Sequence, residues 1–495
     1  MFQNFDSFVS DTVNERSPVI DLTLPYEGGA LDKAYALYEA YNENALLIKK
    51  HDDVGKIENG LMLCLKPDMC WRFKNEISCI DIWENDRVAT TEQRVSDPFS
   101  YLASLARQCL LPGDPGHVPF GLYGYISYDM VRYLIPIADV TIDPLNIPDA
   151  RFVRPTVFIE FDKPAGHVRL RSPFYDFSPM AENAQELYER RVQAISSIVE
   201  MLASPSVNLQ EHHKAPRTTE EITSNISFKH FEAMYAIAHA KVCSGTIKQI
   251  GISQRFQADA KISALSLFDE LQRINPSPLI YTYQCGSFEM VGASPRLLAA
   301  KVNTMATVRV IGGTKPRAPD SSDALVETEL RGDDKEVSEH LMLLETGRHD
   351  IEKVVDQNNV NVSEKFNIKH FSHVAHFAST LSGPVDTGKT AVDVICAGFP
   401  AGTVVGVPKT AAIQAIEQLE VEKRSVYGGA LLYLSGTDDG EAYTAIRCAV
   451  LKNGKMHVQA GAGIVPHSDL QREYQETENK AKALFSAAGI ESRRD

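Results

Sequence analysis

The sequence predicts an α+β protein built on largely antiparallel sheet, and three observations carry that prediction. Short strand-like runs dominate, strands mostly follow strands across turns, and helical patterns come in groups rather than one per strand. The strand-like runs fall at 152–161, 278–284, 288–292, 428–434 and 456–460 and are rich in β-branched and aromatic residues. Helices are expected at 334–346, 390–397, 409–418 and 471–487. A doubly wound nucleotide-binding sheet is not expected. The stretch AGFPAGTVVGVPK is neither GxGxxG nor a Walker loop, and QAGAG has no acidic ribose partner after it.

Two further helices are legible residue by residue. Tyr188, Val192, Ile195, Val199 and Leu202 recur at steps of four and three, which is one apolar stripe. Ser227 is placed to cap a second helix, with Phe231, Tyr235, Ala238 and Val242 as its stripe and Gly245 as its stop. Between them, 203–226 is polar, holds two prolines and lacks periodicity, so it reads as a linker or long surface loop. It divides the chain into 1–226 and 227–495.

A chain of 495 residues exceeds one small core. Its 44% apolar and 23% charged residues are ordinary for a globular protein. The formal charge of −15 argues against nucleic-acid binding, because phosphates would be repelled. The first thirty residues hold acidic groups and no secretion-type apolar run. No apolar run reaches the roughly eighteen residues that a membrane helix needs. The eight cysteines are scattered without CxxC spacing and read as reduced thiols of a cytoplasmic protein.

Two acidic pairs share one spacing: Glu336 with Glu339, and Glu473 with Glu476. On a helix, residues three apart share a face, so each pair projects two carboxylates together. Such a pair is ordinarily a solvated face. Here each follows a glycine-rich segment, GGTKPR or QAGAGIV, whose backbone amides a small anion can approach closely. Four converging carboxylates repel unless a cation joins them, and hard oxygen donors suit Mg²⁺. Gly312, Gly313 and Thr314 form one glycine segment, Gly402, Thr403 and Gly406 a second, and Gly461, Ala462 and Gly463 a third. Arg447, on a strand-like run, is suited to clamp a carboxylate at two points. Together these residues describe a pocket for a small dicarboxylate bound through one metal.

The ordered motifs INPSPLIYTY, VGASP, IGGTKPR, KEVSEHLMLLETGRHDI, HVAHFASTLSG, FPAGTVVGVPK, YGGALLYLSG, AIRCAV, QAGAGIV and YQETENKAKAL resemble the chorismate-utilising enzymes. They are most similar to the large subunit of anthranilate synthase over about 227–490, with a looser likeness before that. The resemblance implies a two-layer β core flanked by helices, with 1–226 regulatory-like and 227–495 the catalytic core. It implies a lyase that aminates chorismate with ammonia and releases pyruvate. It also implies Mg²⁺ held by Glu336, Glu339, Glu473 and Glu476 with the ring carboxylate. Tyr427 and Arg447 would bind the enolpyruvyl carboxylate, assisted by Gly461, Gly463 and Thr403. Gly313, Thr314 and Lys409 would line the substrate, and His376 would serve pyruvate elimination.

Three positions discriminate within the resemblance. Relatives that add water carry a lysine base where this chain has Gln249, and ammonia needs no such base. Relatives that aminate at C4 carry a lysine where this chain has Gly312. The third position departs from both: Arg296 stands where the family has a glutamic acid that protonates the departing hydroxyl. VGVPK and EAYTAIR depart from the family's usual wording as well. These departures leave open a secondary-metabolism paralogue that stops at 2-amino-2-deoxyisochorismate or uses a modified chorismate, or a catalytically impaired homologue. No GxCxG glutaminase elbow is present, so ammonia would come from solution or from a glutaminase subunit in trans; homo- and hetero-oligomers are both left open. The family's tryptophan pocket uses a segment resembling LLES. Here Lys49 and Lys50 replace its last two residues while Pro278 is retained, so tryptophan is not expected to bind.

Overall fold

The computed structural model describes the chain except residues 1, 14–16, 26–28, 52–59, 85–86, 114–119, 163–165, 179, 182, 205–216, 275–276, 317–321, 371–373 and 493–495. The fold is α+β, as the strand-rich pattern predicted. Every strand pairing in the main sheet is antiparallel among the described residues. A separate two-stranded sheet pairs Thr218–Glu220 with Ile490–Ser492 in parallel.

Hydrogen bonding runs unbroken through the sheet and places the site. Gln249–Asp259 pairs with Lys455–Ile464, which pairs with Cys448–Lys452 and through it with Glu289–Ser294 and Leu279–Gln284. Leu279–Gln284 then pairs with Leu46–Lys50, and Ala430–Ser435 pairs with Gly121–Ile126. Strands from residues 1–226 and 227–495 are therefore hydrogen-bonded to one another. On the far flank, Met305–Pro316 pairs with Val374–Pro384.

Side chains alternate across each strand, so a strand buried on both faces feeds two cores. Leu46 and Ile48 enter one apolar cluster and Leu47 the other. Likewise Tyr281 and Tyr283 face one side and Ile280 the opposite side. The second cluster is closed by helices, including Ala30–Ala40, Ala184–Ala203 and Leu470–Ala487.

The helix Phe228–Cys243 starts at Ser227, whose side chain accepts from the His230 amide, as expected. The linker expectation needs correction at its end. Its centre, 205–216, lies outside the described residues, but Thr218–Glu220 and Thr223–Ser224 are short strands. Polar, β-branched threonines fit solvated sheet edges, and the missing apolar alternation hid them. Among the described residues, no helix is long and apolar enough to cross a membrane.

Candidate active site

Each glutamate pair starts in the first turn of a capped helix, at Glu336 and at Glu473, with Glu339 and Glu476 one turn further on. Asp333 accepts from the amides of Lys335 and Glu336 to start Asp334–Ile351, and Asp469 accepts from Arg472 to start Leu470–Ala487. Carboxylates are favoured there by the positive end of the helix dipole. The pairs also sense each other. Burial raises the Glu339 carboxyl above its ordinary value, and Glu336 and then Glu476, across from it, push the same way. Burial likewise raises Glu473, with Glu476 adding to it. Among the described residues no three His, Cys, Asp or Glu side chains close tightly enough to hold a metal as they stand. The donor set nonetheless has the chemistry of a hard-cation site, because its mutual repulsion is what a divalent ion removes.

The glycine segments bring the remaining residues against these carboxylates. The strand register shifts between Gly312 and Thr314, and Gly313 has φ 77°. A Cβ on Gly313 would stand 2.8 Å from the Glu336 carbonyl oxygen, so a side chain there would push the helix away. With glycine in place, the Thr314 amide donates to Glu336 Oε2 at 2.7 Å. Thr314 also pairs in register with His376, and its Oγ1 lies 2.8 Å from His376 Nδ1. One residue thus links a candidate metal ligand to the candidate histidine.

The third segment works by the same economy of space. Gly461 and Gly463 pair with Ser253 and Gly251. A Cβ on Gly461 would meet Tyr427 Oη at 2.8 Å, and one on Gly463 would meet Gln249 Nε2 at 2.7 Å. Tyr427 and Gln249 therefore lie directly over bare backbone. Gln249 Oε1 is buried and has no hydrogen-bond partner. Lys480 joins this segment to the acidic helix, reaching Glu476 at 2.6 Å and the Gly461 carbonyl at 2.8 Å.

Arg296 Nη1 donates to Thr403 Oγ1, and Nη2 donates to the Ile311 carbonyl at 2.8 Å. Burial and the nearby Arg447 lower its guanidinium to about 10. His376 is pushed down to about 4, first by burial and then by Arg296 and Arg447. It is a neutral imidazole near neutral pH, competent to accept or relay a proton at one nitrogen. Lys409 is engaged within the protein: its ammonium lies 2.5 Å from Asp350 and donates to the Gly398 carbonyl at 2.8 Å. A small cavity of about 30 Å³ behind Arg296, lined also by Thr346, Asp350 and Thr403, has space for water but not for a ring.

The depressed histidine has a consequence for stability. The folded imidazole titrates near 4 against an ordinary 6.5, so the unfolded chain takes up the proton first as pH falls. Stability present above pH 6.5 is lost progressively down to pH 4. His457, also lowered to about 4 by burial and Arg255, acts in the same direction. Urea titrations should show a falling midpoint across this window, and His376→Gln should make it shallower. A midpoint independent of pH there would contradict the buried neutral state.

A structural pair beneath the site was not read from the sequence. Arg424 Nε donates to Glu420 Oε2 at 2.9 Å, and its Nη2 donates to Glu420 Oε1 at 2.6 Å and to the Gly251 carbonyl at 2.7 Å. Glu420 Oε1 in turn accepts from the amide and hydroxyl of Ser253. The guanidinium packs 5.7 Å from the Tyr427 ring. Four residues apart, the two had the spacing of an exposed helical ion pair, and only the tertiary structure buries them.

With this geometry in place, comparison with known proteins is decisive. Residues 66–486 match the model of the chorismate binding enzyme family. The chain belongs to that family. Anthranilate synthase component 1 of Cereibacter sphaeroides is 35% identical over 429 residues, covering 86% of this chain and 85% of that protein. The Aquifex aeolicus protein of the same name is 33% identical over 414 residues, covering 83% and 82%. Among solved structures, anthranilate synthase component I from Streptococcus pneumoniae superimposes with a TM-score of 0.73 at 31% identity, covering 86% of this chain and 91% of that one. The menaquinone-specific isochorismate synthase of Escherichia coli shares the fold, with a TM-score of 0.69 at 17% identity over 98% and 100% of the two chains. As a chorismate binding enzyme, this chain brings Thr314 against both His376 and Glu336, Tyr427 over Gly461, Gln249 over Gly463, and Arg296 against Thr403. Lys409 is engaged with Asp350 instead.

Proposed function

We propose that this chorismate binding enzyme adds ammonia to C2 of chorismate, with loss of the C4 hydroxyl and then of pyruvate, giving anthranilate. The observation that carries the reading is Gln249, which lies over Gly463 with an unpartnered carbonyl oxygen. An amide cannot deprotonate water, but it can accept a hydrogen bond from ammonia, which is already a nucleophile. Tyr427 and Arg447 would orient one substrate carboxylate, and Thr403 would help fix it. His376, neutral and hydrogen-bonded to Thr314, would take the ring proton as pyruvate leaves.

Mg²⁺ would be held by Glu336, Glu339, Glu473 and Glu476, and when bound it would polarise the substrate's ring carboxylate. The relatives named component 1 support a glutaminase subunit in trans as the source of ammonia. Arg296 favours a second reading: a specialised paralogue that stops at 2-amino-2-deoxyisochorismate or takes a modified chorismate.

Product identification in wild type and Gln249→Lys tests the role of Gln249. With chorismate, Mg²⁺ and ammonium at alkaline pH, wild type should release an aminated product only when ammonium is present. The lysine variant should gain hydrated product. A wild-type protein that forms isochorismate without ammonium overturns the reading.

Tryptophan should not regulate the protein. Lys50 lies on Leu46–Lys50, which pairs with Leu279–Gln284 next to Pro278, and its ammonium is 3.0 Å from Glu441 in the interior. By the resemblance this segment borders the family's tryptophan pocket, where a lysine would repel a ligand ammonium. Tryptophan at millimolar concentration is expected neither to inhibit nor to raise the melting temperature. Micromolar binding by calorimetry would contradict this.

A further inference from the structure

Arg296 is charged, partly buried and, among the described residues, without a counter-ion. Its Nη atoms are spent on two uncharged acceptors, Thr403 Oγ1 and the Ile311 carbonyl, and its Nε is buried without a partner. The charged neighbour acting on it is Arg447, of the same sign. His376 is neutral there and offers no counter-charge. Among the described residues no carboxylate forms an ion pair with Arg296, although ion pairs surround the site: Lys409 with Asp350, Lys480 with Glu476, Arg424 with Glu420. Burying a guanidinium without a counterion is costly, and a ligand that supplies the counterion recovers that cost on binding.

We propose that Arg296 is a specificity-determining residue that receives an ionised oxyanion substituent of the substrate, a carboxylate or a phosphate ester. This charge is additional to the carboxylates assigned to Arg447 and to the acidic helices. The inference rests on the proposed reading that these residues line the substrate site. A neutral hydroxyl beside Arg296 leaves its charge uncompensated, whereas an ionised group compensates it. A ring that carries such an ionised group would then be bound more tightly than chorismate itself, which remains a substrate.

Calorimetric titration of the full-length protein with inorganic phosphate and, separately, with malonate tests this without Mg²⁺, ammonium or chorismate. Wild type should bind at least one of the two, and the stronger identifies the class of oxyanion. Arg296→Gln should weaken that binding by about tenfold or more, while Arg296→Lys, which keeps the charge, should retain most of it. Circular dichroism of each variant guards against misfolding, and if Arg296→Gln does not fold, Arg296→Met is measured in its place. No binding by wild type, or equal binding by wild type and the neutral variant, overturns the proposal. The outcome is separable from the amination reading: chorismate turnover without Arg296-dependent anion binding sinks only this inference, and the converse sinks only the amination reading.

Discussion

Glu476→Ala is expected to abolish Mg²⁺-dependent turnover of chorismate while leaving the fold intact. Glu476 is half exposed, at 48% of its side chain, so its removal opens no core. In the folded protein it raises Glu339 and Glu473, so deleting it relieves repulsion among the uncompensated carboxylates. Stability should therefore hold or rise slightly as activity falls. Residues that merely support a metal ligand are worth about 10–100-fold, so a ligand itself should cost more than about 100-fold. Glu336→Ala should lose as much activity and also destabilise by about 1 kcal/mol, because the Thr314 amide loses its acceptor at 2.7 Å. Steady-state rates and Mg²⁺ calorimetry check both variants. Wild-type activity in either one would remove the glutamates from the chemistry.

The largest stability effect should come from Lys50. Lys50 and Glu441 are each 1% exposed, their charged atoms 3.0 Å apart, and Tyr443 donates to the same Glu441 oxygen at 3.1 Å. Removing one member of a buried pair strands the other charge. Lys50→Met should lower the unfolding free energy by about 3–5 kcal/mol. The double variant Lys50→Met with Glu441→Leu should recover most of that loss, since two apolar side chains replace a buried pair at little cost. Urea unfolding followed by circular dichroism measures both. A single variant within about 1 kcal/mol of wild type would mean that solvent reaches the pair.

The strand Leu279–Gln284 was legible because a short apolar and aromatic run is a local property, whereas its feeding of two cores, one on each face, was not. The glutamate pairs were legible because spacing of three on a helix is a local property. Lys409 shows where that ends: the resemblance implies a substrate contact, and only the folded chain brings Asp350 from another helix against it. Glu420 and Arg424 went unread, since a surface-like spacing is covered by Gly251 and Ser253 from a distant strand. Residues 218–224 lacked alternation because both faces of those short edge strands carry polar side chains. In each case the missing information was which distant element covers the residue.

The most direct measurement is the fate of labelled nitrogen. Incubation with chorismate, Mg²⁺ and ¹⁵N-ammonium, followed by mass spectrometry, should yield anthranilate, or its aminated precursor, carrying one ¹⁵N. Chorismate consumed to an unlabelled, hydrated product, or not consumed at all, would contradict amination at this site.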